Sequence, residues 1–253
     1  MPMVEVEGFD DVSLLRLAHG KANALDLELL GALADLLVRE AAGASRAVVL
    51  TGRGPIFCAG VDLPRLLRDG PDYVEPFLAA LDRCLLALFG CPKPVVAAIN
   101  GHAIAGGCVI ACACDVRLAA RTGLKMGVPE LRVGVPFPPV PLEIMRWALP
   151  PPSFQRAVLG GATYGVDEAV AHGFVDEIVA ADELLPAALA RARDLAAIPA
   201  ASFATNKAML RQPTLDRLAV DVPARREEMV RAWSSPPVRA AIADYVARVL
   251  GKR

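Results

Sequence analysis

The segment from Lys93 to Asp115, KPVVAAINGHAIAGGCVIACACD, constrains the fold more than any other part of the chain. Its apolar run at 94–99 ends at Asn100-Gly101, as is typical of a buried strand followed by a turn. Ala105-Gly106-Gly107 then precedes the apolar run at 108–114, which predicts a helix that begins at two glycines. Glycines at a helix start leave N–H groups free beside the positive end of the helix dipole. The segment predicts backbone N–H groups that bind an oxygen on which negative charge develops during a reaction. A strand–Gly-Gly–helix pattern can equally result from close packing alone.

Hydrophobic periodicity predicts an α/β body followed by helices. Strands are expected at 12–17, 46–51, 94–99, 116–119, 124–127 and 174–179. Helices are expected from an Asp26 cap to about residue 42, and at 72–89, 142–148, 153–159, 166–171, 182–197, 201–211, 214–233 and 236–250. The first strand–helix–strand order predicts parallel pairing.

Prolines are concentrated between residues 129 and 141. They stand at Pro129, Pro136, Pro138, Pro139 and Pro141. Because proline fixes φ and lacks an N–H donor, this segment is expected to be a rigid, non-helical loop.

Composition excludes several classes of protein. The net charge of −1 gives no general attraction to nucleic acid or to an anionic membrane. The uncharged run at 94–114 nearly reaches the length of a bilayer span, but Asn100 and His102 interrupt it, so no membrane span is expected. The acidic N-terminus, MPMVEVEGFDD, does not have the pattern of a signal peptide, and we expect a cytoplasmic protein.

The cysteines are expected to be reduced core residues. There are 6 of them, without the spacing of a secreted disulfide framework. Cys108 and Cys112 stand at helical i, i+4 spacing, and His102 is the nearest candidate for a further metal ligand. Zinc needs more ligands than these, so no metal site is expected.

A second motif, Ile56-Phe57-Cys58-Ala59-Gly60-Val61-Asp62-Leu63, precedes the Gly-Gly segment. Both motifs, their order and their spacing resemble the enoyl-CoA hydratase/isomerase (crotonase) superfamily along nearly the whole chain. The resemblance implies an α/β fold built as a spiral of β-β-α turns, with a C-terminal all-helical region that builds trimers. It implies a core over 1–198 and a helical region over 199–253. It also implies an acyl-CoA thioester substrate, with coenzyme A as part of the substrate and no separate cofactor.

The resemblance further implies which backbone groups hold the thioester. By motif, the two N–H donors to the carbonyl oxygen are those of Val61 and Gly106. The segment Lys21-Ala22-Asn23-Ala24-Leu25 resembles the part of the family that lines the coenzyme A arm. Substrate-binding residues carried over are Lys21, Ala22, Ala24, Ala59, Gly60, Asp62, Leu63, Val109 and Phe137. Lys21 is equally well explained as a solvated loop charge, and Asp62 as a helix N-cap.

The carboxylates decide which reaction the resemblance implies. Family hydratases use two glutamates, and this chain has Val109 at the first of those positions and Glu130, in a Pro-Glu pair, at the second. Hydration needs two groups, whereas moving a double bond from C3–C4 to C2–C3 needs one base. Δ3,Δ2-enoyl-CoA isomerases keep only the second glutamate and carry a Pro-Phe pair after it, as at Pro136-Phe137. The sequence therefore favours an isomerase of unsaturated fatty acyl-CoA.

Three other interpretations stay open. Glu143 is the nearest spare carboxylate for hydration, and a non-catalytic acyl-CoA binder would need Glu130 turned away. An RNA-binding relative would need a lysine-rich helix, which the sequence lacks. For assembly, a trimer or a dimer of trimers is expected, since the C-terminal region carries many spaced apolar residues: Leu215, Leu218, Val222, Met229, Trp233, Val238, Ile242 and Val246.

Overall fold

The computed structural model describes residues 2–249, with strands and helices interleaved up to residue 179 and helices alone beyond it. The strands are β1 Val4–Phe9, β2 Val12–Leu17, β3 Ala47–Gly52, β4 Ile56–Cys58, β5 Val95–Ile99, β6 His102–Ile104, β7 Val116–Ala120, β8 Lys125–Gly127, β9 Thr163–Gly165 and β10 Glu177–Val179. The helices are α1 Leu27–Ala42, α2 Leu63–Asp69, α3 Val74–Phe89, α4 Gly106–Ala113, α5 Glu130–Val133, α6 Pro139–Ala148, α7 Pro151–Gly160, α8 Val166–Ala171, α9 Leu184–Ala196, α10 Ala200–Ser234 and α11 Pro236–Val249.

The strands of the described chain form two mixed sheets. The larger sheet has the order β1-β2-β3-β5-β7-β10, with β1 antiparallel to β2 and the other neighbours parallel. The smaller sheet has the order β4-β6-β8-β9, with β9 antiparallel to β8. The predicted parallel pairing of β2 with β3 across α1 is confirmed. Asp26 caps α1 as predicted, since its carboxylate accepts a hydrogen bond from Leu29 N at 2.9 Å.

The larger sheet is covered by helices on both faces. Val48 and Leu50 of β3 belong to the main core, which also contains the buried faces of α1, α3 and α4. Ala47 and Val49 point to the opposite face, where they pack with buried residues of α9. Because successive side chains of a strand alternate between faces, a strand buried on both sides is a continuous apolar run. This explains the runs that mark β3 and β5 in the sequence.

Residues 129–141 are only in part the non-helical loop that their prolines predict, since 134–138 are non-helical but both flanks are helical. Helix α5 begins at Glu130, directly after Pro129, and α6 begins at Pro139. Proline is tolerated in the first turn of a helix because the N–H groups there have no intrahelical acceptor. Pro129, Pro139 and Pro141 therefore lie at helix starts, whereas Pro136 lies in the loop between the two helices.

The two helices predicted at 201–211 and 214–233 are one helix, α10, with Pro213 and Pro223 inside it. Each internal proline removes one backbone hydrogen bond, so side-chain contacts must hold the helix together across it. Before Pro213, the Arg211 guanidinium lies 2.6 Å from the Asp115 carboxylate. After it, Arg217 lies 2.7 Å from Glu143. Leu250, at the predicted end of the last helix, lies outside the described residues.

Several short elements were not predicted. Helix α2 occupies residues where a loop was expected, and Gly70, with a φ of +84°, separates it from a 3-10 turn and α3. Strands β1, β4, β6 and β9 were also missed, and β10 is shorter than the predicted strand at 174–179. Strands β6 and β9 have three residues each, too few to show an alternating pattern.

The C-terminal helical region, α10 and α11, packs on the body of its own chain. The apolar residues on which the predicted trimer depends all contact the main core: Leu218, Met229, Trp233 and Ile242 are buried in it, and Leu215, Val222, Val238 and Val246 are partly buried against it. They are therefore not spare surface, and the argument from them to a trimer was wrong. The division of the chain at 198/199 into two domains stays a prediction.

The uncharged run at 94–114 divides into β5, β6 and α4, in agreement with its interpretation as strand plus helix. Among the helices described in residues 2–249, none combines the length and the apolar character that a bilayer crossing requires.

Candidate active site

Two glycine-containing loops meet at the N-terminus of α4. Gly60 has a φ of +83°, and a Cβ atom there would lie 2.7 Å from Ile104 O and 3.2 Å from Gly106 N. A Cβ atom on Gly106 would lie 2.7 Å from Leu25 Cδ1. Glycine at 60 therefore lets the two loops touch, because a Cβ atom there would clash with backbone atoms, whereas a Cβ atom at 106 would clash only with the end of the Leu25 side chain.

Each of the two loops in contact also carries a free backbone donor. Leu25 N donates to Gly60 O at 2.8 Å and Asp62 N donates to Leu25 O at 3.0 Å, which fixes Val61 between these bonds. Within residues 2–249, neither Val61 N nor Gly106 N donates a hydrogen bond to another protein atom. Gly106 is also the first residue of α4, at the positive end of its dipole. Such a pair of donors can stabilise an oxygen on which negative charge develops.

The segment 21–25 is held against these loops by Asn23. This buried residue has a φ of 50°, its Nδ2 donates to Ile56 O at 3.0 Å and to Phe57 O at 3.1 Å, and its Oδ1 accepts from His19 N at 3.0 Å. Ala59 N adds a bond to Ala22 O at 3.0 Å. Our sequence reasoning did not select Asn23. Asparagine's tolerance of positive φ in a turn-rich segment was the signal that could have found it.

The candidate substrate-binding residues around these loops are accessible to different degrees. Lys21 is exposed, whereas Ala22, Ala24, Ala59, Asp62 and Leu63 are half-buried and Gly60 is buried. Asp62 is the N-cap of α2, with Oδ1 accepting from Arg65 N at 3.0 Å. The Asp62 carboxylate therefore acts as a helix N-cap, the alternative to substrate binding given above, because it accepts a hydrogen bond from a free N–H of the first turn.

Glu130 lies in the single turn of α5 and carries an unpaired carboxylate. Its Oε2 is buried and has no hydrogen-bond partner within residues 2–249, while the residue as a whole is half-buried. Burial raises the pKa of this carboxyl from 4.5 to about 8, because the ionised form is poorly solvated there. A group with a pKa near the working pH is suited to accept a proton and to return it.

The first turn of α4 lies close to this carboxylate. The pKa of the Cys108 thiol is raised by burial, then by the Cys112 thiol, and further by the charge of Glu130. The next residue, Val109, is fully buried in the main core, and Phe137 packs half-buried against the same core. The structure thus brings an unpaired glutamate close to the helix that begins with a free N–H donor.

Glu143 does not offer a second free carboxylate. It is buried, its Oε1 accepts from Arg146 Nε at 2.7 Å, and its Oε2 accepts from Arg217 Nε at 2.7 Å. With both oxygens held by guanidinium groups, Glu143 joins α6 to α10.

The cysteines are buried free thiols, as predicted. Burial raises the pKa of Cys58 and of Cys84 to about 12, so both are protonated and inert as nucleophiles. No cluster of three His, Cys, Asp or Glu side chains arranged to hold a metal ion occurs in residues 2–249.

Comparison with protein families decides the identity of this scaffold. The protein-family model described as "Enoyl-CoA hydratase/isomerase" matches residues 9–248 of this chain. The chain belongs to the enoyl-CoA hydratase/isomerase family.

Some relatives of this chain are named isomerases and others are named hydratases. The human mitochondrial enoyl-CoA delta isomerase 1 is 28% identical over 250 residues, which is 98% of this chain and 83% of the relative. A probable enoyl-CoA hydratase of Rhizobium meliloti (strain 1021) is 34% identical over 253 residues, covering 97% of this chain and 95% of the relative. The family is therefore shown, while the relatives' names leave both isomerisation and hydration open.

The fold is that of the same family. The crystal structure of human mitochondrial delta3-delta2-enoyl-CoA isomerase superposes with a TM-score of 0.95 at 27% identity and covers 99% of each chain. The chain thus has the α/β crotonase fold, with two mixed sheets and a long C-terminal helical region.

Proposed function

We propose that this crotonase-family protein is a Δ3,Δ2-enoyl-CoA isomerase that acts on unsaturated fatty acyl-CoA thioesters with a single base. The observation that carries the proposal is the unpaired, buried carboxylate of Glu130, with a raised pKa, close to α4, the helix that has valine at position 109. One base is sufficient for isomerisation, and valine can neither activate water nor donate a proton.

In the proposed reaction, the Glu130 carboxylate removes a proton from C2 of the 3-enoyl thioester. The electron pair released from the C2–H bond delocalises onto the thioester oxygen, which accepts hydrogen bonds from Val61 N–H and Gly106 N–H. The same carboxyl then delivers its proton to C4, the double bond comes to lie between C2 and C3, and the carboxylate is restored. The reaction consumes no water, and each fixed donor to the oxygen contributes about 2.7–4 kcal/mol of transition-state stabilisation.

Substrate contacts follow from the positions of the half-buried loops. The proposed path of the coenzyme A arm is lined by Ala22, Ala24, Ala59, Gly60, Asp62 and Leu63. Exposed Lys21 is proposed to contact a phosphate group of coenzyme A. Val109 and Phe137 are proposed to contact the acyl chain. The proposal requires no cofactor besides the coenzyme A of the substrate.

Hydration of 2-enoyl-CoA is the second candidate, favoured by the 34% identity with the probable hydratase. It needs a second group near Glu130 to hold and activate water. Glu143, the nearest spare carboxylate in the sequence, has both oxygens paired with arginines. Hydration is therefore expected to be slow.

An assay with purified protein separates these candidates. It follows double-bond position and water uptake separately, with 3-enoyl-CoA and 2-enoyl-CoA of several chain lengths. Rapid conversion of 3-enoyl-CoA with little water uptake supports the isomerase, whereas fast hydration of 2-enoyl-CoA contradicts the single-base mechanism.

The donor pair is tested by comparing two variants at one position. Gly106→Pro removes the N–H, whereas Gly106→Ala keeps it and adds only a methyl group near the flexible end of Leu25. We expect Gly106→Pro to have a kcat about 10²–10³-fold below that of Gly106→Ala. Equal kcat values for the two folded variants would show that the oxygen is bound elsewhere.

For the assembly we propose a trimer or a dimer of trimers, formed through α10 in a cytoplasmic protein. Support comes from three apolar side chains of α10 that remain exposed: Met209 is 69%, Leu210 is 70% and Val220 is 68% exposed. Multi-angle light scattering at micromolar concentration tests this, with Leu210→Glu expected to weaken association. A monomeric wild type contradicts the proposal.

A further inference from the structure

Helix α11 crosses the end of α2, the helix that follows Val61. Arg239 Nη1 donates to Leu66 O at 3.3 Å and Arg239 Nη2 donates to Leu67 O at 2.8 Å. These carbonyls lie in the last turn of α2, where intrahelical donors are lacking and a positive charge is favourable. Arg239 thereby caps the C-terminal end of α2 with a residue from the end of the chain.

Two residues further along α11, Ala241 contacts the turn that carries Glu130. Gly134 closes α5 with a φ of +85°, and a Cβ atom there would lie 2.7 Å from the Cβ of Ala241. Val135 N donates to Glu130 O at 3.0 Å, so the backbone of Glu130 belongs to this turn. Ile242, the neighbour of Ala241, is fully buried and fastens α11 to the core.

Neither α2 nor α5 is long enough to hold its position alone. They span 7 and 4 residues, well below the roughly 12–15 residues at which an isolated helix becomes marginally stable. Their positions therefore depend on what packs against them. Helix α11 contacts both, through Arg239 and Ala241, which are two residues apart.

We propose that α11 fixes the separation between the Val61 N–H donor and the Glu130 base, with Arg239 and Ala241 as positioning residues. This inference rests on the proposed function. A catalytic base must approach its substrate at close to the reactive geometry, and a misplacement of about 1 Å can cost on the order of 10²-fold in rate. Positioning by α11 thus affects turnover more than substrate affinity.

The Arg239 contact is tested with three variants in the full chain. Arg239→Ala removes both donors, Arg239→Lys retains one charged donor, and Arg248→Ala alters an exposed arginine in the last turn of the same helix. We expect kcat with 3-enoyl-CoA to fall about 10–100-fold in Arg239→Ala, with KM changed much less, and to recover in part in Arg239→Lys. Arg248→Ala should match the wild type.

The Ala241 contact is tested by a double-mutant cycle. Gly134→Ala adds a methyl group against the Ala241 Cβ, and Ala241→Gly removes the opposing methyl group. The backbone strain of a positive φ is present in Gly134→Ala with or without the second change, so the cycle isolates the contact. We expect kcat of the double variant to exceed kcat of Gly134→Ala by about tenfold, because only the backbone strain at position 134 then remains.

The outcomes separate the two proposals. A wild type that isomerises 3-enoyl-CoA, together with an unchanged kcat in Arg239→Ala and no coupling in the cycle, overturns the role of α11 and leaves the isomerase intact. A kcat and KM that change in parallel with melting temperature in both Arg239 variants also overturns it, because that is general destabilisation. A wild type that isomerises no 3-enoyl-CoA overturns both.

Discussion

Glu130 and Glu143 are glutamates on successive helices whose carboxylates are both shielded from water, yet their surroundings are opposite. Glu143 gives each oxygen to an arginine, at 2.7 Å in both cases. Glu130 keeps a buried oxygen without a partner within the described chain, and burial raises its pKa to about 8. A paired buried carboxylate joins two helices, whereas an unpaired one costs stability when ionised and can exchange its proton. The contrast teaches that charge pairing, rather than burial, separates a structural glutamate from a reactive one.

Replacing each glutamate by glutamine is the most direct test of this difference between Glu130 and Glu143. Glu130→Gln should lower isomerisation by at least about 10²–10⁴-fold, because the only proposed base is gone, while acyl-CoA binding measured by calorimetry stays within a few-fold of wild type. Glu143→Gln should keep kcat near the wild-type value. Near-normal turnover in Glu130→Gln would end the single-base mechanism.

Chemical unfolding of the wild type and of Glu130→Gln across pH measures how the unpaired carboxylate affects the free energy of unfolding. The folded-state pKa of Glu130 is raised from 4.5 to about 8, so the folded state binds this proton more tightly than the unfolded state. The wild type therefore loses stability as pH rises between these two values, and glutamine removes that loss. At about pH 9 the variant should be more stable than wild type by up to a few kcal/mol, and at about pH 4 the two should agree. A variant less stable at alkaline pH would contradict the unpaired burial.

The pH dependence of turnover reports the same group. Only ionised Glu130 can accept the C2 proton, so kcat/KM should rise about tenfold per pH unit below its pKa and level off above about 8. Stopped assays at constant ionic strength measure this profile. A kcat/KM that is flat from about pH 6 to about pH 9 would show that the ionisation of Glu130 does not limit the reaction.

The smallest expected effect is on stability in Glu143→Gln. Its partners Arg146 and Arg217 have half-exposed side chains, at 49% and 46% exposure, so water compensates part of the lost attraction. We expect the free energy of unfolding to fall by about 1–2 kcal/mol, with no change in the pH profile of turnover. Urea unfolding measures this, and Glu177→Gln, in an exposed ion pair with Arg191, is the matched control. A loss equal to that of the control would mean that burial adds nothing to the Glu143 pairs.

The sequence alone determined the order of the long elements and the motifs of the candidate site. Strands β3 and β5 could be predicted because burial on both faces requires an apolar run, and α1 could be predicted because Asp26 caps an amphipathic helix. Glycine at 60 follows from a backbone contact that admits no Cβ atom, so this close approach of two loops is visible in the sequence. Glu130 stood out through its motif, while its lack of a partner is a property of the surrounding structure.

Tertiary structure decided what local patterns describe poorly. The sequence predicted a break at Pro213, but ion pairs from Arg211 and Arg217 on either side of it hold α10 together, and such contacts between distant residues leave no periodic signal. The apolar positions of the C-terminal region were visible in the sequence, but the surface that they cover was not, and it is their own chain's core. Likewise, α5 exists as one turn only because Gly134 closes it and α11 packs on it. A run of four residues has too little intrinsic stability to reveal such a turn without its neighbours, so only the folded chain could decide it.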